Sequence, residues 1–344
     1  MPNDFADIDA SRLQLFLDGH FGEGGPMRLE RIGGGQSNPT FFLDHGTRRM
    51  VLRKQPAGPI LKGAHAIDRE FRVLSALAGT DVPIPKPVLY HAENDVVGPS
   101  FYLMECVEGR VFHDAALPGI EPVERRAIYL AMASTLAKLH RIDPNAVGLG
   151  DFGRAGNYFE RQIARWSKQW AESPTRDIPE LDRLADWLSS NLPPDDGQVA
   201  IAHGDFRLGN LLFHPSEPRV VAILDWELST LGHPLADLGF CSIAWHTTPD
   251  EYGGIRGLNL AALGIPAEPD FLAGYYADAL PTGLLLPFHV AFSLFRFAVI
   301  FVGIADRARQ GNAAGDNAEQ LGKLAIRFAE RGMRAARVQP SIGS

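Results

Sequence analysis

The sequence predicts an α+β chain in two lobes, a small β-rich one over residues 1–106 and a larger helical one over residues 107–344. Three observations predict it. A length of 344 residues suggests about two domains or lobes. The N-terminal part strings short β-capable runs around a glycine-rich turn and one amphipathic helix. Beyond it, helical periodicity dominates and is interrupted by a loop and hairpin within Ile201–Phe240.

In order along the chain, residues 8–20 have helical spacing, with Leu13, Phe16 and Leu17 on one side. Leu29–Ile32 leads into Gly33-Gly34-Gly35-Gln36-Ser37-Asn38 and then Thr40–Leu43. Strand, glycine turn, strand is the shape of a loop that lies over phosphates. Gly34 and Gly35 permit close backbone approach, and Ser37 and the amides can donate to phosphate oxygens. Arg49–Lys54 is a strand ending in a basic pair, in which Lys54 can reach phosphate and Arg53 is its rival. In the helix that follows, Ile67, Phe71, Leu74 and Leu77 form the core stripe. Glu70 stands beside that stripe, where it could reach Lys54.

Val82–Pro87 is too proline-rich for helix, and Ser100–Gly109 reads as a strand running into a linker. Helices are expected over Val123–Ile142, where His140 is a helix C-terminal histidine, and over 157–172. The second buries Phe159, Ile163, Trp166 and Trp170. Its other face carries Arg161, Arg165 and Lys168, which read as a solvated face or, in the sharper reading, as an anion-binding surface. Gln198–Ala202 is a strand feeding His203-Gly204-Asp205. Asn210 follows five residues after Asp205, then Leu211–Phe213, a turn, and the apolar run Val220–Leu224 that delivers Asp225. Asp237 reads as structural, bracing the loop or capping a helix.

Composition narrows the function. Hydrophobic residues are 45% and charged residues 22% of the chain, as in ordinary globular proteins. A net charge of −8, with no long basic run, gives no support for nucleic-acid binding. Cys106 and Cys241 lack metal-ligand spacing, which fits buried thiols in a reducing cytoplasm. The N-terminus has no signal-peptide core. Gly283–Ala305 is long and apolar, but Pro287, His289 and Arg296 interrupt it, so a buried core helix rather than a membrane span is expected. Nothing in the sequence speaks to oligomeric state.

An Asp that takes a hydroxyl proton, and an Asn with a second Asp that hold Mg²⁺ against phosphates, are what phosphoryl transfer from ATP requires. The protein-kinase signature is H-R-D-x-x-x-x-N followed by D-F-G. Here it is His203-Gly204-Asp205-x-x-x-x-Asn210 followed by Leu-Asp225-Trp. Glycine loop, strand Lys, helix Glu, linker and both motifs stand in the order that fold demands. A protein-kinase-like fold is therefore expected, with Asp205 catalytic, Asn210 and Asp225 on the metal, and the backbone of Glu105 to Val107 on adenine. Only eleven residues separate Asp225 from Asp237, too few for a regulated activation loop, and HGD replaces HRD. A small-molecule acceptor follows.

GGGQSNPTFFL, VLRKQPAG, AHAIDREFRVLSAL, FYLMECVEGRVF, NYFERQIARWSKQW, HGDFRLGNLLFHP and ILDWELSTLGHPLADLG together resemble the aminoglycoside phosphotransferase-like superfamily, which includes choline kinases. More specifically the chain is similar to the group related to kinase domains fused to acyl-CoA dehydrogenases. The resemblance covers about residues 12 to 335 and implies a kinase acting on 4-hydroxyacyl-CoA, here expected as a free-standing protein. It assigns Asp205 as base, Asn210 and Asp225 as Mg²⁺ ligands, and Lys54 with its partner Glu70 to the phosphates. Gly232-His233-Pro234 departs from the G-D-P common in aminoglycoside enzymes, and Arg161 and Arg165 suit a polycationic antibiotic poorly. The alternatives are an aminoglycoside or macrolide kinase and a catalytically inactive nucleotide-binding module.

Overall fold

The computed structural model describes residues 8–33, 38–56, 66–154, 156–309 and 318–337. Gly34, Gly35 and Ser37 lie outside the described residues, as do Gly311–Asn317 and the tail from Val338. The chain divides into two compact units.

The first unit comprises Met1–Arg110 with two later segments, Leu212–Pro215 and Val220–Ser229. It opens with α1 (Ala10–Phe21), capped by the Asp9 carboxylate, which accepts from the backbone N–H of Ser11 and Arg12. The strands β1 (Arg28–Arg31), β2 (Thr40–His45) and β3 (Arg48–Lys54) precede α2 (Ile67–Leu77), and β4 (Pro87–His91) and β5 (Phe101–Glu105) follow it. They form one antiparallel sheet in the order β1-β2-β3-β5-β4. The pleat sends alternate residues to opposite faces. Phe41, Leu43, Met50, Leu52, Phe101 and Leu103 turn to one face and pack with Leu13 and Leu17 of α1. Each such side chain, once buried, stabilises the unit by roughly 1.5–3 kcal/mol. On the other face Tyr102 meets α2, its ring 5.8 Å from that of Phe71.

The second unit comprises Val111–Leu211, Ser216–Arg219 and Thr230–Ser344. Helices α3 (Pro122–His140), α4 (Tyr158–Ala171) and α5 (Pro179–Ser190) lead to the short strand β6 (Ala200–Ala202). Next, β7 (Leu211–Phe213) and β8 (Val220–Ile223) form a two-stranded sheet that belongs mostly to the first unit. Strand β9 (Thr230–Gly232) returns to pair antiparallel with β6. Then come α6 (Pro234–His246), the single turn α7 (Leu260–Leu263), α8 (Glu268–Asp278), α9 (Pro287–Arg309) and α10 (Ala318–Ala336).

Two helices carry this unit. Along α4, Phe159, Ile163, Trp166 and Trp170 are all buried, as their spacing predicts. Helix α9 is the one helix among the described residues long and apolar enough to cross a membrane, and 83% of its apolar window is buried within the protein. The charge at the middle of this helix is put to use. The Arg296 guanidinium lies 5.7 Å from the rings of both Trp166 and Phe240 and donates to the Gly204 carbonyl at 2.6 Å. Helix α10 lies along α9, with the Phe297 and Phe328 rings 5.0 Å apart.

Candidate active site

The loop after β6 is held from beneath. His203 is fully buried, and its Nδ1 accepts from the Asp205 backbone N–H at 3.2 Å. The buried Asp237 carboxylate, on the first turn of α6, accepts from the backbone N–H of His203 at 2.7 Å and of Gly204 at 2.8 Å. His140, at the end of α3, approaches the same carboxylate at 3.3 Å through Nε2, while its Nδ1 lies 2.8 Å from the Tyr275 hydroxyl. Burial raises the Asp237 carboxyl, but the His140 hydrogen bond and the charges and amides around it bring it below its ordinary value. Asp237 therefore braces the loop. His140 does more than end a helix, because it buttresses that brace.

Gly204 sits at φ 83°, in the left-handed region that disfavours any residue with a Cβ. That is a local reason for glycine where protein kinases carry arginine. With the backbone pinned, the Asp205 side chain stays 22% accessible. Its Oδ2 accepts from Asn210 Nδ2 at 2.7 Å, and the same nitrogen donates to the Asp205 carbonyl at 2.8 Å. Two acceptors facing one amide nitrogen fix the orientation of Asn210 and leave its Oδ1 for another partner. Asn210 ends the 3₁₀ turn Leu208–Asn210. Such a loop can hold a carboxylate against a hydroxyl proton while offering a hard oxygen to a cation.

The first unit holds the other half of the expected set. Asp225 follows β8 with φ 63° and ψ 67°, a conformation that costs a non-glycine residue of order 1–3 kcal/mol. Arg53 Nη2 holds its Oδ1 at 2.6 Å. Arg53 Nε also stands 2.9 Å from Glu70 Oε2, an ion-pair approach without hydrogen-bond alignment, and Nη2 donates to Oε1 at 3.4 Å. Asn38 and Tyr102 donate to the same Glu70 carboxylate at 2.7 and 3.0 Å. Burial pushes the Glu70 carboxyl up against the pull of Arg53. Arg53, despite its own burial, is held more firmly protonated by Glu70, Tyr102 and Asp225.

This corrects the pairing of Lys54 with Glu70. Neighbouring strand residues face opposite ways, and it is Arg53 that turns toward α2. Lys54 turns with Leu52 to the α1 face, where it is buried and donates to the Val97 carbonyl at 2.8 Å. The arginine rival is the residue on Glu70. Glu105 closes β5, its N–H donating to the Lys86 carbonyl at 2.8 Å, and Val107 follows in irregular chain. Two residues on, Gly109 has no room for a side chain: a Cβ there would lie 2.4 Å from the Phe213 carbonyl oxygen and 2.6 Å from Leu212 Cγ.

On the expected basic face of α4, Arg161 folds back onto the carbonyls of Gly156 and Arg154, Arg165 lies over the Trp166 ring, and Lys168 meets Glu172 at 3.7 Å. Sequence reasoning overlooked a pocket beside the catalytic loop. Arg207, Leu208 and Gly209 form one side, and Tyr129, Met132, Trp245 and Phe297 are among the others.

A five-stranded antiparallel unit with its α2 ion pair, and a helical unit bearing the HxDxxxxN loop, define a kinase-like fold of the aminoglycoside phosphotransferase type. The profile of the phosphotransferase enzyme family matches residues 28–275, and the chain belongs to that family. It is 41% identical over 320 residues to acyl-CoA dehydrogenase family member 11 of Gallus gallus, covering 91% of this chain and 41% of that protein. The chain thus spans about two fifths of such a relative. A crystal structure from Ralstonia eutropha JMP134, provisionally assigned as an aminoglycoside phosphotransferase, superposes with a TM-score of 0.86 at 46% identity, covering 96% of this chain and 98% of that one. A thermostable mutant of the aminoglycoside phosphotransferase APH(4)-Ia, solved with AMP-PNP and hygromycin B, is 14% identical with a TM-score of 0.63 over 96% of this chain and all of that one, a likeness of fold. The chain is a small-molecule kinase, transferring phosphoryl groups to hydroxyl acceptors.

Proposed function

We propose that the chain transfers the γ-phosphoryl of MgATP to the hydroxyl of a hydroxyacyl-CoA. The hydroxyl oxygen attacks the γ-phosphorus, the bond from phosphorus to the bridging oxygen of ADP breaks, and the hydroxyl proton passes to the Asp205 carboxylate. Asn210 Oδ1 and the Asp225 carboxylate are hard oxygen donors of the kind Mg²⁺ takes alongside water and phosphate oxygens. When bound, the ion neutralises charge that builds on the phosphates. Arg53, held between Glu70 and Asp225, keeps the metal-ligand carboxylate oriented. The free thiols Cys106 and Cys241 fit a cytoplasmic setting.

The observation that carries the reading is the catalytic loop, with Asp205 pinned by Asn210 and the loop backbone pinned by Asp237. Support for the acceptor comes from the relatives, which are acyl-CoA dehydrogenase family members, and from the pocket lining. Glu251 is the single carboxylate among the residues lining the pocket, and Arg331 holds it with contacts of 2.9 and 3.0 Å. A polycationic aminoglycoside needs free carboxylates and finds little to hold there.

The test is ADP release with MgATP against 4-hydroxyacyl-CoAs, aminoglycosides, macrolides and choline, with Asp205→Ala as the blank. Turnover confined to the CoA esters supports the proposal. Turnover confined to antibiotics overturns the acceptor, and equal turnover by Asp205→Ala overturns the mechanism. Loss of the base is expected to lower kcat by about 10²–10⁴-fold with nucleotide binding retained.

A further inference from the structure

Three polar side chains that line the pocket beside the catalytic loop have their polar atoms engaged elsewhere, while His113 and Arg207 line it too. The Tyr129 hydroxyl donates to the Ala115 carbonyl at 2.6 Å, Trp245 Nε1 to the Pro266 carbonyl at 3.0 Å, and the Thr247 hydroxyl to the Ile243 carbonyl at 3.0 Å. With Met132, Ile243 and Phe297 beside them, those residues give the pocket a lining that is more apolar than polar. Ala244 lines it as well, a small side chain between the larger Ile243 and Trp245.

One wall is a turn held under constraint. Tyr252 is a non-glycine residue at φ 64°, followed by Gly253 at φ 74°. Its ring sits 5.3 Å from Phe297 and 5.1 Å from Phe301, with the Arg207 guanidinium 5.8 Å away. The preceding residue, Glu251, is 5% exposed and accepts from the Thr248 N–H at 3.0 Å as well as from Arg331 of α10. Strain at Tyr252 persists only because its surroundings over-determine it, and the paired contacts of Arg331 with Glu251 are the strongest tie in view.

We infer that this pocket takes the apolar chain of the acceptor, and that the Tyr252 turn, clamped through Glu251 by Arg331, sets the chain length accepted. The inference rests on the hydroxyacyl-CoA reading and adds to it a specificity site. Tyr252 would cover the chain and Ala244 would leave it room. Arg331 is a positioning residue that acts through Glu251.

The test is a ladder of 4-hydroxyacyl-CoAs from short to long chain, assayed by ADP release. For the wild type, kcat/KM is expected to rise by about fourfold per methylene until the pocket is filled. Ala244→Phe should lower the long-to-short ratio of kcat/KM by about tenfold or more, with its fold checked by thermal melting. Arg331→Met should raise KM for long chains with kcat held, a split that mere loss of stability would not produce. An unchanged ladder in a folded Ala244→Phe protein overturns the inference.

If the wild type turns over no CoA ester, the acceptor reading fails by itself, and calorimetry with decanoyl-CoA then decides the pocket. Binding abolished by Ala244→Phe upholds the apolar site. No binding, or binding indifferent to that substitution, overturns it.

Discussion

Replacing Asp237 with asparagine removes one buried negative charge and turns one of two acceptor oxygens into a donor. In the native loop one oxygen takes the Gly204 N–H at 2.8 Å, and the other takes the His203 N–H at 2.7 Å and faces His140 at 3.3 Å. Whichever way the amide turns, a loop N–H meets an NH₂ group. A buried donor left unsatisfied costs about 1–3 kcal/mol, and the lost charge assistance adds to it, so about 3 kcal/mol is a fair expectation. For a unit of this size that corresponds to a melting shift of roughly 6–12 °C. A loop displaced by about 1 Å also costs on the order of 10²-fold in rate, so kcat should fall while KM for MgATP holds.

The pH dependence has a definite sign. The Asp237 carboxyl lies below its ordinary 3.8 in the folded protein. Its stabilisation is present at all pH above that value and is lost as pH falls through the depressed one. The melting gap between wild type and Asp237→Asn should therefore be constant near neutrality and close only below about pH 4. Circular-dichroism melts across pH, with coupled ADP release at pH 7, measure both effects. A variant melting within about 2 °C of wild type and turning over within twofold of it would refute the brace, given the cost expected for an orphaned buried donor.

Two further substitutions separate residues that the sequence leaves adjacent. Arg53→Met uncovers Glu70 and Asp225 and should destabilise by about 3–5 kcal/mol, raising KM for MgATP by at least an order of magnitude. Lys54→Met, on the α1 face, should leave that KM within about twofold, its cost appearing in the melt and not in the kinetics; the opposite ranking in steady-state kinetics would restore Lys54 as the phosphate contact. Asp225→Ala removes one expected Mg²⁺ ligand and should abolish the Mg²⁺ dependence of nucleotide binding in a calorimetric titration, whereas unaltered dependence would move the metal elsewhere.

Much of this was readable from spacing. The stripe Phe159, Ile163, Trp166 and Trp170 is buried, the run ending at Leu224 is largely the strand that delivers Asp225, and Asp237 lies under the loop. The Arg53 and Lys54 assignment was not readable, because Met50, Val51 and Leu52 are all apolar and all buried, so alternation carries no parity there. The β6 and β9 pairing joins three-residue segments with too little periodicity to flag, and the prolines of Val82–Pro87 exclude helix there without marking Pro87–His91 as a strand. Glu251 and Arg331 stand 80 residues apart, and only the fold brings them together.

The composition of the first unit bears on how the protein is made. Its sheet is finished by residue 105, but the strand and turn carrying Asp225 belong to the same unit and emerge about 120 residues later. At ribosomal speeds of roughly 5–20 residues per second, that is a wait on the order of ten seconds. During it, Arg53 and Glu70 have each other but lack their third charge, and the surface later covered by Leu212–Phe213 at Gly109 stands open. A nascent chain paused between these points is the species a chaperone would meet. The N-terminal segment alone, cut at Arg110, is an unfinished body rather than a separable nucleotide-binding module.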